Sequence, residues 1–235
     1  MTTIRDCIAP DRNPKVPSIK LPEGSIDTHV HIFESQYPLF EGRGYNPPDS
    51  TLDDLKHLHS QLGVSRVVYT QPSPYGVDNS AILKGMKVMN DETPGRARGV
   101  CAIKMDVSDD FLEDLDKQGI KGVRLNMDNI GGMPIGLDEI PTLEARIKDL
   151  GWHVEYLFPG KDIVELAPIF KKSSVPISIA HFAYQPATNG INSEGFKTLL
   201  DLVRDGNTWI KISGANRVSE TDLPPYDDVM PMARA

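Results

Sequence analysis

The chain has little of what would tie it to a membrane, a disulfide framework or a nucleotide. It holds two cysteines in 235 residues, Cys7 and Cys101. One falls in a proline-punctuated arm and the other in a strand-like run, so they make no disulfide framework and a reducing compartment is expected. No apolar run approaches the ~20 residues that a membrane-spanning helix needs. The opening Met-Thr-Thr-Ile-Arg-Asp-Cys lacks the hydrophobic core of a secretory leader. A cytoplasmic protein with no membrane partner is therefore predicted. Basic residues are outnumbered, 25 Lys and Arg against 33 Asp and Glu, which argues against a nucleic-acid partner. No Gly-x-Gly-x-x-Gly and no Walker-type loop follows a strand-like run, which weakens a nucleotide-binding role.

What is present is a regular alternation. Residues 1–24 carry Pro10, Pro14, Pro17 and Pro22 among charges and read as an irregular arm. From 25 to 235, β-rich apolar runs fall at 25–33, 66–71, 98–105, 120–126, 152–158, 176–181 and 209–213. Helix-type segments lie between them at 51–62, 79–91, 108–118, 139–150, 162–172 and 193–204. Ser50, Asp78-Asn79-Ser80 and Ser108 mark helix starts, and Gly63, Gly119 and Gly151 mark helix ends. Strands alternating with helices predict an α/β fold with a parallel sheet and right-handed crossovers. Seven strands exceed a small doubly wound domain, so an eight-stranded (β/α) TIM barrel of ~250 residues is the better match. At roughly 31 residues per repeat, strand eight is due near position ~240. The chain thus reads as a barrel truncated before strand eight, with 226–235 opening helix seven.

In such barrels the chemistry sits at the C-terminal ends of the strands. The first run, Ser-Ile-Asp-Thr-His-Val-His-Ile-Phe, ends with His29 and His31. Strict alternation puts Asp27, His29, His31 and Phe33 on one face and Ile26, Thr28, Val30 and Ile32 on an apolar one. Two imidazoles side by side suit a transition metal or a polar substrate. The second run ends in Thr70-Gln71-Pro72-Ser73, neutral groups able to orient a substrate or simply to form a turn. Arg124 shares parity with Ile120, Gly122 and Asn126, and a guanidinium turned inward needs an anion. Tyr156 could stabilise an oxyanion, and Glu155, of opposite parity, could partner a neighbour. His181 closes the sixth run, and Arg217 follows the seventh in Ser-Gly-Ala-Asn-Arg. His57 and His59 stand two apart on a helix, diverge in direction, and are predicted at the surface.

Asp-Thr-His-Val-His-Ile-Phe, Gly-Val-Arg-Leu-Asn, His181 and Ser-Gly-Ala-Asn-Arg, in this order, resemble the amidohydrolase superfamily. The resemblance is greatest to the branch of 2-pyrone-4,6-dicarboxylate hydrolases and sugar-acid lactonases, and it covers nearly all of 25–217. It implies His29, His31 and His181 as catalytic groups and as metal ligands if a metal is bound, with Tyr156 beside them. It implies Arg124, Tyr156 and Arg217 as substrate-binding groups, to which the residues themselves add Thr70 and Ser73 as neutral substrate-orienting groups. One zinc or other divalent ion is the implied cofactor, or none, because some members of this branch work without a metal. At the usual depth the chain lacks the strand-five histidine, His153 lying at the start of its run, and a strand-four bridging lysine or glutamate, which argues against two metals. The loop after His181 reads Phe-Ala-Tyr-Gln, without the arginine of the pyrone hydrolases. The family's strand-eight aspartate, its proton acceptor, has no counterpart before Ala235.

The resemblance therefore implies hydrolysis of a small anionic lactone. The alternatives are a decarboxylase, a lactone isomerase or an inactive member of the family. Zinc-dependent release of carbon dioxide would single out the decarboxylase, and a ring-shifted product the isomerase.

Overall fold

The computed structural model describes residues 4–127 and 135–235. Seven strands run through it: β1 (Ile26–Val30), β2 (Arg66–Thr70), β3 (Ala97–Cys101), β4 (Ile120–Asn126), β5 (His153–Leu157), β6 (Ile177–Ile179) and β7 (Thr208–Ile210). The helices between and after them are α1 (Leu52–Leu62), α2 (Ser80–Glu92), α3 (Asp109–Lys117), α4 (Ile140–Ile147), α5 (Ile163–Phe170), α6 (Glu194–Arg204) and α7 (Met230–Arg234). Each of the seven expected strand runs overlaps a strand, and each of the six expected helix segments a helix, with Ala97, Thr208 and Glu92 lying one residue outside the expected bounds.

The chain forms two compact units, with the boundary after Arg124 inside β4. Strand order is β1-β2-β3-β4 in the first and β4-β5-β6-β7 in the second. The pairings are parallel, as βα repeats require. The described residues thus hold the repeat of a (β/α) barrel with seven strands; an eighth is not among them.

Local chemistry explains the boundaries. Thr51, one residue later than expected, caps α1 by accepting from the Asp54 backbone N–H at 3.2 Å. The Asp54 carboxylate in turn accepts from the Thr51 N–H at 2.9 Å, closing a capping box. Gly63 ends α1 at φ 73°, a left-handed conformation that costs a glycine nothing. The arm before β1 is tied down. Arg5–Asp6 pairs with Tyr45–Asn46, and Arg12 donates to Asp54 and to the Asp49 carbonyl, both at 3.1 Å.

Among the described pairings, strict alternation fails twice, both times in the first unit. On β1, Asp27 stands opposite Val67 and Val30 opposite Tyr69. Three steps on one strand meet two on the other, which is a β-bulge. Paired residues of parallel strands point the same way. Tyr69 points at the helices, where its hydroxyl donates to Met89 Sδ of α2 at 3.2 Å. Asp27 and Val30 therefore both face the helices. Asp27 does not share the histidine face, contrary to simple period-two counting. It lies 3.1 Å from Nε2 of His59 on α1. That partner explains a second departure: His59 is 1% exposed rather than a surface residue, while His57 is exposed. On β4, a shift between the Gly99–Ile120 and Val100–Gly122 pairs puts Ile120 on the helix face. Gly122, Arg124 and Asn126 take the other face.

The cap yields a prediction. Thr51→Ala should cost about 1 kcal/mol in chemical denaturation. Hydrogen bonds from the Thr51 N–H and hydroxyl hold the Asp54 carboxyl below its usual range. Its folded pKa thus lies below its unfolded one. The contribution is complete above an ordinary carboxylate pKa of about 4, and it is lost as pH falls through the depressed folded value. Asp54→Asn should flatten that acid limb of the pH–stability curve.

Candidate active site

In the first unit the site is built on the end of β2. The His29 and His31 rings meet edge to face, with centroids 5.0 Å apart at 79°. Asp27 Oδ1 accepts from the His29 backbone N–H at 3.3 Å, so the bulge residue also steadies the first histidine. His31 Nδ1 lies 2.7 Å from the Thr70 carbonyl oxygen. A carbonyl only accepts, so Nδ1 carries the proton and Nε2 the lone pair in neutral His31. In that state Nε2 accepts a proton or binds a metal; polarising a carbonyl through it requires the imidazolium.

The next carbonyl along, that of Gln71, accepts from Arg124 Nη1 at 2.8 Å. Arg124 is 5% exposed, so its guanidinium is held in place rather than sampling solvent. Gln71 is positioned by its own side chain, whose amide donates to the carbonyls of Gly76 at 3.0 Å and Asp78 at 2.8 Å. Sequence inspection noted Gln71 only as a neutral group near two prolines; nothing in the residue pattern reveals that its backbone carries Arg124. Thr70 is fully buried, and its Oγ1 has no hydrogen-bond partner among the described residues. Ser73 is buried at the start of a short turn, where its carbonyl accepts from the Gly76 N–H.

In the second unit the parity of β5 decides two roles. Tyr156 pairs with Ile179 on the helix-packed face, and its ring lies 4.6 Å from that of Phe170 in α5. Burial raises its pKa well above the usual phenol value, which disfavours a phenolate. Tyr156 is therefore a core residue, and the oxyanion role expected of it finds no support. Its neighbour Glu155, fully buried on the opposite face, forms an ion pair with Lys211 just beyond β7. Glu155 thus has the partner its parity suggested. Lys211 went unnoticed in the sequence because it lies far from Glu155 along the chain.

His181 stands at the first position of an unusual turn. His181, Phe182, Ala183 and Tyr184 have φ of 53°, 54°, 51° and 49°. Left-handed backbone costs a non-glycine residue ~1–2 kcal/mol, so four in a row require compensation from their surroundings. Several hydrogen bonds provide it. Phe182 N–H donates to the Lys211 carbonyl at 3.1 Å, and Gln185 N–H to the Phe182 carbonyl at 3.1 Å. The Gln185 side-chain amide donates to the Gly160 carbonyl at 2.6 Å. Gly160 is needed because a Cβ there would collide with the Tyr184 carbonyl. His181 Nδ1 shares a 2.9 Å hydrogen bond with Ser213 Oγ. Arg217 Nη1 donates to the Tyr184 hydroxyl at 3.3 Å.

A catalytic zinc takes three protein donors and an open position. Within the first unit, His29 and His31 supply two nitrogens, and Asp27 is turned away to His59. The pair therefore meets part of that donor set. Among the described residues, no group of three or more His, Cys, Asp or Glu side chains is arranged to hold a metal ion. No helix among the described residues is long and apolar enough to cross a membrane.

These contacts predict two losses. Gln71→Leu should destabilise by ~1–3 kcal/mol for each buried carbonyl left without its donor, read as a lowered midpoint in urea. Gly160→Ala should cost at least about 2 kcal/mol by displacing the Tyr184 carbonyl.

Residues 26–235 match the model of the amidohydrolase family, Amidohydro_2. The 2-pyrone-4,6-dicarboxylate hydrolase of Comamonas testosteroni is 34% identical over 232 residues, covering 94% of this chain and 75% of its own length. The 4-sulfomuconolactone hydrolase of Hydrogenophaga intermedia is 32% identical over 97% of this chain and 75% of its own. The D-galactarolactone isomerase of Agrobacterium fabrum is 28% identical over 93% of this chain and 73% of its own. Among solved structures, an apo protein of Agrobacterium tumefaciens superposes with a TM-score of 0.82 at 27% identity, over 93% of this chain and 78% of that one. One from Acinetobacter baumannii, with citric acid bound, gives 0.76 at 28%, over 90% of this chain and 76% of that one. A family match that spans nearly the whole chain, together with a histidine pair, a sixth-strand histidine and a buried arginine at strand ends, shows that the chain belongs to the amidohydrolase family.

Proposed function

We propose that this amidohydrolase hydrolyses the ester bond of a small carboxylated lactone. The observation that carries the reading is Arg124. A nearly buried guanidinium, aimed by the Gln71 carbonyl and placed on the face away from the helices, is suited to a carboxylate. Relatives that act on 2-pyrone-4,6-dicarboxylate and 4-sulfomuconolactone, both anionic lactones, support the same substrate class. So does the citric acid held by a relative of known structure.

The roles follow from the chemistry of each group. Arg124 binds one carboxylate, and Arg217 is the candidate for another, with Thr70 and Ser73 as neutral hydrogen-bonding groups near the first. His31, its proton held on Nδ1 by the Thr70 carbonyl, offers Nε2 to accept a proton from the attacking water. His29 and His181 are the further candidates to face the lactone carbonyl and its developing oxyanion. A bound divalent ion, with His29 and His31 as candidate ligands in the first unit, would supply Lewis-acid polarisation of the carbonyl.

The relative named as a galactarolactone isomerase favours a second reading, transfer of the acyl group to another hydroxyl of the same molecule. Product analysis separates the two: an open-chain acid means hydrolysis and a ring-shifted lactone means isomerisation.

Arg124→Met removes charge-assisted bonds worth ~1.5–3 kcal/mol. KM for a carboxylated lactone should rise by at least about tenfold, and for a neutral lactone hardly at all. Equal effects on both substrates would sink the anion-binding role.

A further inference from the structure

Tyr184 belongs to none of the motifs at the strand ends, yet it touches two candidate site residues of the second unit. In the turn His181–Tyr184, residues three apart lie on one side, so the first and last side chains face each other. The His181 and Tyr184 rings stack, with centroids 5.9 Å apart and planes at 25°. On Tyr184 sits Arg217, its guanidinium carbon 5.9 Å from the ring centroid and its Nη1 donating to the hydroxyl. One side chain thus touches both residues proposed to meet the substrate in this unit. Gly214, in a left-handed conformation at φ 68°, brings the backbone close against His181, and Ser213 holds its Nδ1. The imidazole is therefore fixed by Ser213 on one nitrogen and by the tyrosine ring over its plane. Arg217 is exposed and follows a short loop. A flexible guanidinium of that kind loses rotamer freedom on binding an anion unless something orients it first.

The left-handed backbone strengthens the argument. Strain of this kind persists only where the surroundings over-determine it, and it gathers where a side chain must be aimed. Here Gln185, Gly160 and the Lys211 carbonyl over-determine it, and the outcome is the stack of Tyr184 on His181.

We infer that Tyr184 is a positioning residue that joins His181 and Arg217 into one pre-oriented face, and so helps set which anionic lactones are accepted. The inference rests on the reading of Arg217 as a carboxylate-binding group. Its ring holds the imidazole plane and its hydroxyl holds the guanidinium, and the two functions are separable by substitution.

The test uses the full chain with citrate as the probe, titrated by calorimetry, alongside the ring-proton resonances of His181. Tyr184→Phe keeps the ring and loses the hydroxyl. It should weaken citrate binding about five- to tenfold, as loss of one ordinary hydrogen bond does, and leave the His181 resonances in place. Tyr184→Leu loses both contacts. It should weaken citrate at least as much and move the His181 ring protons out of the tyrosine ring current. Thermal melting and circular dichroism check that each variant is folded, and an unfolded Leu variant leaves the Phe variant to decide. Unchanged citrate affinity in Tyr184→Phe overturns the hydroxyl's role, and unmoved His181 resonances in a folded Tyr184→Leu overturn the ring's. Arg217→Met is the control. If it leaves citrate affinity intact, or if the unaltered chain binds no citrate at millimolar concentration, the reading of Arg217 itself has failed. If it weakens binding while Tyr184→Phe does not, that reading stands and the inference about Tyr184 falls alone.

Discussion

Two consecutive peptide carbonyls at the end of β2 hold the first unit's chemistry together. Successive carbonyls along an extended chain point in opposite directions. That of Thr70 reaches His31, following β1, and that of Gln71 reaches Arg124 on β4. Backbone atoms are the steadiest anchors a protein has, because they move only with the strand. The same pair of bonds sets the tautomer of the histidine and the aim of the guanidinium. What His31 can do with a proton and Arg124 with an anion follows from where this strand stops. It stops where Gln71 folds its amide onto the carbonyls of Gly76 and Asp78 and closes the loop that follows.

The second unit meets the same need differently. It uses a buried ion pair and a left-handed turn. Glu155 and Lys211 bind side chain to side chain, and the Lys211 backbone is stitched to Ile179 on one side and Phe182 on the other. The end of β7 is thereby held level with the residues on either side of His181. A buried carboxylate with its ammonium partner adds little net stability, while removing either partner would leave an uncompensated charge. The pair is better understood as a spacer that sets where the strands end than as a source of stability.

Much of the fold was legible in the sequence. The alternation of apolar β-rich runs with amphipathic segments located the seven strands of the repeat and the helices between them, because both periods are imposed by burial; the short pairing of Arg5–Asp6 with Tyr45–Asn46 carries no such period. His29, His31 and Arg124 were legible for the same reason: polar groups at strand ends stand out against apolar neighbours. The errors came from what period-two counting omits. A bulge adds one residue to a strand and reverses the parity of what precedes it, so Asp27 and Ile120 were assigned to the wrong faces. His59 was taken for a surface residue because its partner, Asp27, is 32 residues away in sequence. Tyr156 reads as an oxyanion group because a tyrosine near a strand end looks functional until one knows that its face packs on Phe170. Tyr184 was beyond reach, since four left-handed residues in a row have no sequence signature when none is a glycine.

That turn has an evolutionary consequence. Its conformation is held by the Gln185 amide, the bare backbone of Gly160 and the carbonyl of Lys211, none of which involves the side chain at position 184. Scaffold and side chain are therefore separable there. Lineages that share this turn can exchange the residue at 184 without rebuilding the backbone, whereas a change at 160 or 185 would disturb it.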